Sequence, residues 1–418
     1  MVLNLKRNHK KNTMERLKVK LLVKVLLVSI MFLNISCGSR DVTVTWSSIE
    51  GPAQSNNFKL KVFIENSGSM DGYMCSGSEL KDAVYSYASS LSSYADTTEL
   101  NYINSSIIPY RYDMRKFIKD LDPYHFHVAG GNTSNSDISA MFESILNQTD
   151  DHTVSIFVSD CILDVPNGDS MDFFENRSID IRNAFTKHLN KHSDLGVEIF
   201  RLESTFDGRY YYSAGSELLR NVKRPYYMWV IGNKNILAHL NKQVPPFTEI
   251  KHGIKNYFAF STNSNIPFEI TNTKNIAKGN QCVPTKNSDG DYEFLIKTNL
   301  RKTLQGADVL ANLSNYATIT SGIIVNGITE LPNSSSSSSF THIINVIITN
   351  TSKSYAERIT LKPLYAPNWL EEVNDDSGRD INNNINKTTG IKYLVQGVAD
   401  AYKKQEQLVD FKFVVNNR

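Results

Sequence analysis

The chain has 418 residues, with 45 Lys and Arg against 43 Asp and Glu, a formal net charge of +2 and 40% apolar residues. A balance this close to neutral, with no basic cluster beyond the N-terminal segment, argues against a polyanion-binding surface and suggests no nucleic-acid partner. The length exceeds one ordinary core and accommodates two or three domains of about 100–200 residues each, while an abundance of Asn, Ser and Tyr suits an extracytoplasmic surface with extended loops.

Largely basic and polar residues precede an apolar run that opens at Leu21 and closes at Ile35, Ser36 and Cys37. Positive, apolar and small residues in that order predict an export signal over 1–36. Met14 is an alternative start, because Arg16, Lys18 and Lys20 already supply a basic region. Leu33 to Cys37 resembles a bacterial lipobox, with Asn34 where Leu or Val is more usual. The resemblance implies cleavage before Cys37 and lipidation of its sulfur, a tether over 37–57, and anchorage in the cell envelope, with the outer membrane as the expected site. A cleaved signal without lipid and a retained anchor are the alternatives; the run is short for a span and contains Lys24.

From Phe58 the pattern predicts an α/β domain extending to residue 245. Phe58 to Glu65 reads as a strand whose Val62, Phe63 and Ile64 are continuous enough to be buried on both faces. Ser78 to Tyr94 reads as a helix, since Leu80, Val84, Tyr87, Ala88 and Leu91 recur at three- and four-residue spacing. A diluted strand over Leu100 to Ile108 and a short helix over Tyr112 to Leu121 follow. His125 and His127 flank Phe126 as on a short strand, two histidines without a third ligand for zinc. The polar loop from Gly130 to Asp137 leads into a helix from Ile138 to Leu146, with Ser136 as its expected cap. Val154 to Val158 is a central strand ending in Ser159 and Asp160; a helix over Ile181 to Leu189 and strands over Gly196 to Leu202 and Tyr226 to Ile231 complete the alternation of a doubly wound, mostly parallel sheet.

After Pro245 and Pro246 the period changes. Alternating apolar and polar residues in Tyr292 to Ile296, Ala317 to Val325, Thr341 to Ile348 and Ile359 to Leu364 predict a mainly antiparallel β region over 246–418. Ser334 to Ser339 reads as an exposed loop, and Ile391 to Tyr402 as a C-terminal helix. Cys75, Cys161 and Cys282 leave at least one thiol free within the chain, and Cys75 and Cys161 are the pair that an exported compartment permits to bridge.

The chemistry concentrates at the first strand's end. Glu65, Ser67 and Ser69 place an acid and two hydroxyls at alternate positions at the carboxyl end of an apolar strand, with Gly68 and Met70 between and after them. Oxygen ligands at a sheet rim suit a hard divalent cation. The stretch Phe58 to Leu240 resembles the von Willebrand factor A fold with its metal-ion-dependent adhesion site, with Glu65 where that family usually has aspartate. The resemblance implies a threonine-type ligand before a helix, for which Ser136 and Thr133 compete, and an aspartate at a later strand end, matched by Asp160. It also implies Mg2+ or Ca2+ as cofactor and a protein partner in the envelope or outside the cell that offers a carboxylate. Glu65 is one methylene longer than aspartate, so it reaches the cation directly, acts through a water, or fills the cation's place. The resulting expectation is a protein-binding module for adhesion or assembly. A metal-dependent hydrolase acting on an envelope substrate and a metal-free scaffold are the alternatives, although neither an activating histidine nor a nucleophile elbow accompanies the serines.

Overall fold

A computed structural model of the chain describes residues 42–47, 57–134, 136–165, 170–212, 215–244, 253–260, 266–332, 340–362, 366–403 and 408–417. The export signal, Cys37 and the serine run from Ser334 to Ser339 lie outside these residues. Among the described residues no helix is long and apolar enough to cross a membrane.

Chain order begins with β1 (Val42–Trp46), β2 (Lys59–Glu65), α1 (Glu79–Ser92), β3 (Thr97–Ile103), β4 (Ile107–Tyr110), α2 (Met114–Lys119), α3 (Pro123–His127) and α4 (Ile138–Asn147). It continues with β5 (Thr153–Ser159), α5 (Ser170–Leu189), β6 (Leu195–Tyr212), β7 (Gly215–Asn233), α6 (Lys234–Gln243) and β8 (Ile254–Phe260). A seven-stranded sheet runs β4-β3-β2-β5-β7-β6-β8. Leu60, Val62 and Ile64 face one core and Phe63 and Phe157 the other, so β2 and β5 are covered on both sides as their unbroken apolar runs require.

The architecture is mixed α/β with a partly parallel central sheet. The expectation of a mostly parallel sheet is corrected, because within the seven-stranded sheet only β2 with β3 and β2 with β5 pair in parallel. The pairs β3–β4, β5–β7, β7–β6 and β6–β8 are antiparallel. The cause lies in β6 and β7, which two residues of sequence connect and which pair along nearly their whole length; so short a connection permits only antiparallel pairing. Strand β7 thereby enters between β5 and β6, where a doubly wound sheet would place parallel neighbours.

Of the remaining strands, Asn374–Asp375 and Thr388–Thr389 pair in parallel by themselves, and the others form two antiparallel sheets that share a core. One contains β1, Gln281–Cys282, Tyr316–Thr318, Tyr355–Leu361 and Val409–Asn417; the other contains Phe268–Thr271, Thr285–Lys286, Tyr292–Thr298, Ile323–Glu330 and His342–Ile348. Phe411 and Phe413 of the first meet Phe268 and Phe294 of the second edge-on, at 5.0 and 5.4 Å between ring centres.

Two expected boundaries move. Val42–Trp46, expected within the tether, is a strand paired with Val409–Asn417, because Val42, Val44 and Trp46 are apolar enough to enter the sandwich core. The stretch 246–418 also contributes to the first unit: β8 extends its sheet, and the C-terminal helix Ile391–Tyr402 lies on α5. There Tyr393 stacks on Phe174 at 4.9 Å, and a Cβ on Gly397 would stand 2.5 Å from the Ser178 carbonyl oxygen, so only glycine permits this approach. His125 and His127 sit on a helix capped by Asp122, because Asp-Pro begins a helical turn here where alternation suggested a strand.

Candidate functional site at the sheet top

Parallel register places Ile64 beside Val158, so Glu65 and Ser159 emerge together at the carboxyl ends of β2 and β5, with Asp160 one residue further. Glu65 is fully buried and Asp160 is 1% exposed. The Ser136 hydroxyl donates to Glu65 Oε1 at 2.6 Å and the Ser159 hydroxyl to Oε2 at 2.5 Å. Ser67 stands beside Glu65 and Ser69 beside Asp160. The Ser67 and Ser69 hydroxyls hydrogen-bond each other at 3.0 Å.

The surrounding loops are fixed by backbone and amide bonds. Asn66 donates to the Phe126 carbonyl and accepts from Asn104, and Gly68 N–H donates to the Thr133 carbonyl at 3.1 Å. This last bond seats the loop before α4 on the loop after β2. Of the two rival hydroxyls, Ser136 therefore reaches the Glu65 carboxyl, while Thr133 supplies its backbone oxygen and lines the space above. The expected helix cap is corrected as well: Asp137 caps α4 by accepting from Ala140 N–H, which frees Ser136 for Glu65.

Electrostatically the pair is costly. Burial first, then the neighbouring Asp160 charge, push the Glu65 carboxyl from its ordinary 4.5 up to about 7 against the pull of three hydroxyl donors. Burial likewise raises Asp160, opposed by Ser69, the Ile162 N–H and the Arg224 guanidinium. Asp160 Oδ2 is buried without a hydrogen-bond partner. The next residue, Cys161, has φ 54°, a left-handed backbone uncommon for a side-chain-bearing residue, held by its N–H donating to the Ser159 hydroxyl at 2.7 Å.

Beyond the sheet edge, β6 from Ser204 and β7 up to Tyr226 form, among the described residues, a two-stranded ladder that makes an arm over the sheet top. A Cβ on Gly72 would stand 2.4 Å from the Phe206 ring, so glycine there allows the arm to lie down. Two buried arginines fix a further wall: Arg224 donates to the Ile385 carbonyl at 2.9 Å and Arg201 to the Asn386 carbonyl at 3.0 Å. Arg224 also lies 4.2 Å over the Tyr210 ring.

These segments surround a half-open cavity of about 390 Å³. Its floor includes Ser67, Gly68 and Ser69, and its walls come from Thr133 and Ser136, from Ile162, Leu163 and Val165, from Tyr211 and Tyr212 of the arm, and from Gly378 and Thr389. Asp71, His127, Ser134, Asp164 and Gly215 complete the lining. His127 Nδ1 lies 3.6 Å from Asp71 Oδ2. Cys75 and Cys161 are both free thiols, the first turned to the Thr205 carbonyl and the second to the Trp229 indole.

The structure thus brings together Glu65, Ser67, Ser69, Ser136 and Asp160. Sequence reasoning missed Ser159 as a partner of Glu65, although the register of two parallel strands implies it. It gave no link between the sheet top and Arg224 or the arm tyrosines, for which no local signal exists. Among the described residues no three His, Cys, Asp or Glu side chains converge on a metal position; the converging donors are two carboxylates and several hydroxyls. No protein-family model matches the chain, and no curated protein matches it.

Proposed function

We propose that this chain is an envelope-anchored protein-binding module, similar to the von Willebrand factor A fold, whose sheet top holds Mg2+ or Ca2+. The observation that carries the reading is the hydroxyl and carboxylate lattice of Glu65, Asp160, Ser67, Ser69 and Ser136. The Ser136 hydroxyl donates its proton to Glu65, which leaves its oxygen lone pairs available, and the Ser67 and Ser69 hydroxyls hydrogen-bond each other beside the two carboxylates.

The donor set fits such an ion on two counts. Oxygen ligands of mixed charge are what hard cations select. The partnerless Asp160 Oδ2 is a buried acceptor with nothing to accept. A bound cation would neutralise the carboxylate pair and tie the loops after β2 and β5 to the loop before α4.

The test is calorimetric titration of the full chain with MgCl2 and CaCl2, beside Asp160→Ala and the double variant Ser67→Ala with Ser69→Ala. The expected result is saturable uptake by the wild type and affinity at least about tenfold lower in both variants. Undiminished uptake by both would remove these residues from the site. Attachment through a lipid on Cys37 is tested separately by mass spectrometry of the N-terminal peptide; an unmodified, uncleaved Cys37 would end that part of the proposal.

A further inference from the structure

We propose that the cavity above the carboxylate pair receives a single basic side chain, a lysine or arginine on an extended peptide segment. The inference rests on the reading of the sheet top as a binding site and differs from the carboxylate ligand that the family resemblance implies.

Size comes first. A folded partner buries about 800 Å² of its surface across a broad face. The arm and the wall held by Arg201 and Arg224 instead leave a half-open pocket of about 390 Å³, near the low end of the 300–1,000 Å³ typical of small-molecule pockets. A flat face does not reach the floor of such a space, whereas one side chain of an extended segment does.

Charge decides what that side chain is. The described residues lining the cavity include the carboxylates of Asp71 and Asp164 and no Lys or Arg; His127, beside Asp71, is the one basic group among them. Glu65 and Asp160 lie beneath. Even with a divalent cation neutralising that lower pair, the carboxylates left at the lining are Asp71 and Asp164, which repel an incoming carboxylate and attract an ammonium or guanidinium.

The aromatic wall acts in the same direction. Tyr211, 49% exposed, and Tyr212 line the cavity, and phenol faces attract cations. The same arm already holds a cation on its adjacent tyrosine, where the Arg224 guanidinium lies over Tyr210. The apolar wall of Ile162, Leu163 and Val165 suits the methylene stem of such a side chain.

The experiment is calorimetric titration of the full chain, saturated with Mg2+, with three peptides blocked at both ends: Ala-Lys-Ala, Ala-Met-Ala and Ala-Glu-Ala. The lysine peptide is expected to bind, with affinity falling as salt rises, and the other two to bind at least about tenfold more weakly. The double variant Asp71→Asn with Asp164→Asn, and separately Tyr211→Ala, should each weaken lysine-peptide binding by about tenfold or more while leaving Mg2+ uptake unchanged. Equal or tighter binding of the glutamate peptide overturns the inference, as does undiminished binding by the variants or the absence of binding by all three peptides. Mg2+ titration without peptide reports separately on the cation reading, so failure of one is distinguishable from failure of the other.

Discussion

Replacing Glu65 by Gln removes the charge while keeping an oxygen for one of its hydroxyl donors, and its effect on stability has a definite sign at each pH. The Glu65 carboxyl is raised from 4.5 to about 7 in the folded chain, so the native state binds this proton more tightly than the unfolded chain does. Its contribution is complete below about pH 4.5 and is lost as pH rises through about 7. That interval, at about 1.36 kcal/mol per pH unit, comes to roughly 3 kcal/mol for this fully buried group. Without divalent cation, Glu65→Gln should match the wild type near pH 4 and exceed it by up to about 3 kcal/mol near pH 8. With Mg2+ at about a hundred times its dissociation constant, the wild type should regain about 2.7 kcal/mol and the variant little or nothing. Urea unfolding across this pH range, with EDTA and with MgCl2, provides the measurement. A wild type whose stability is flat from pH 5 to 8 and indifferent to Mg2+, or a variant with an undiminished Mg2+ response, would refute the account of the carboxylate pair.

Glu198 offers the same sign away from the sheet top: burial pushes it up to about 7, and Asn241 is its hydrogen-bond partner at 2.6 Å. Glu198→Gln should therefore raise stability above about pH 7 and leave it unchanged near pH 4, with no change in Mg2+ uptake; equal pH profiles for variant and wild type would contradict that assignment. Gly397→Ala should force the C-terminal helix off α5, where the new Cβ would meet the Ser178 carbonyl oxygen at 2.5 Å. A loss of about 1–3 kcal/mol in thermal or urea unfolding is expected, and a neutral result would mean that the two helices separate without cost.

Much of the first unit was legible because its signals are local. Three- and four-residue apolar spacing marks α1 through Leu80, Val84, Tyr87 and Leu91, all buried on one face, and the unbroken run before Glu65 marks a strand covered on both sides. Alternation likewise marks His342–Ile348. The arm was not legible, because Glu203 to Arg224 is mostly polar and its pairing depends on a partner strand and not on its own period. The strand at Val42–Trp46 escaped for a related reason: its partner lies at the other end of the chain.

The sequence by itself determined which side chains are available at the sheet top, since an acid and alternating hydroxyls after β2 and an aspartate after β5 are properties of strand ends. Only the tertiary structure decided that Ser136 and not Thr133 reaches Glu65, that Ser159 shares it, and that an antiparallel arm and a distant loop close the space above. Strand periodicity fixes which way a side chain points, whereas convergence of separate loops depends on register and packing between segments far apart in sequence.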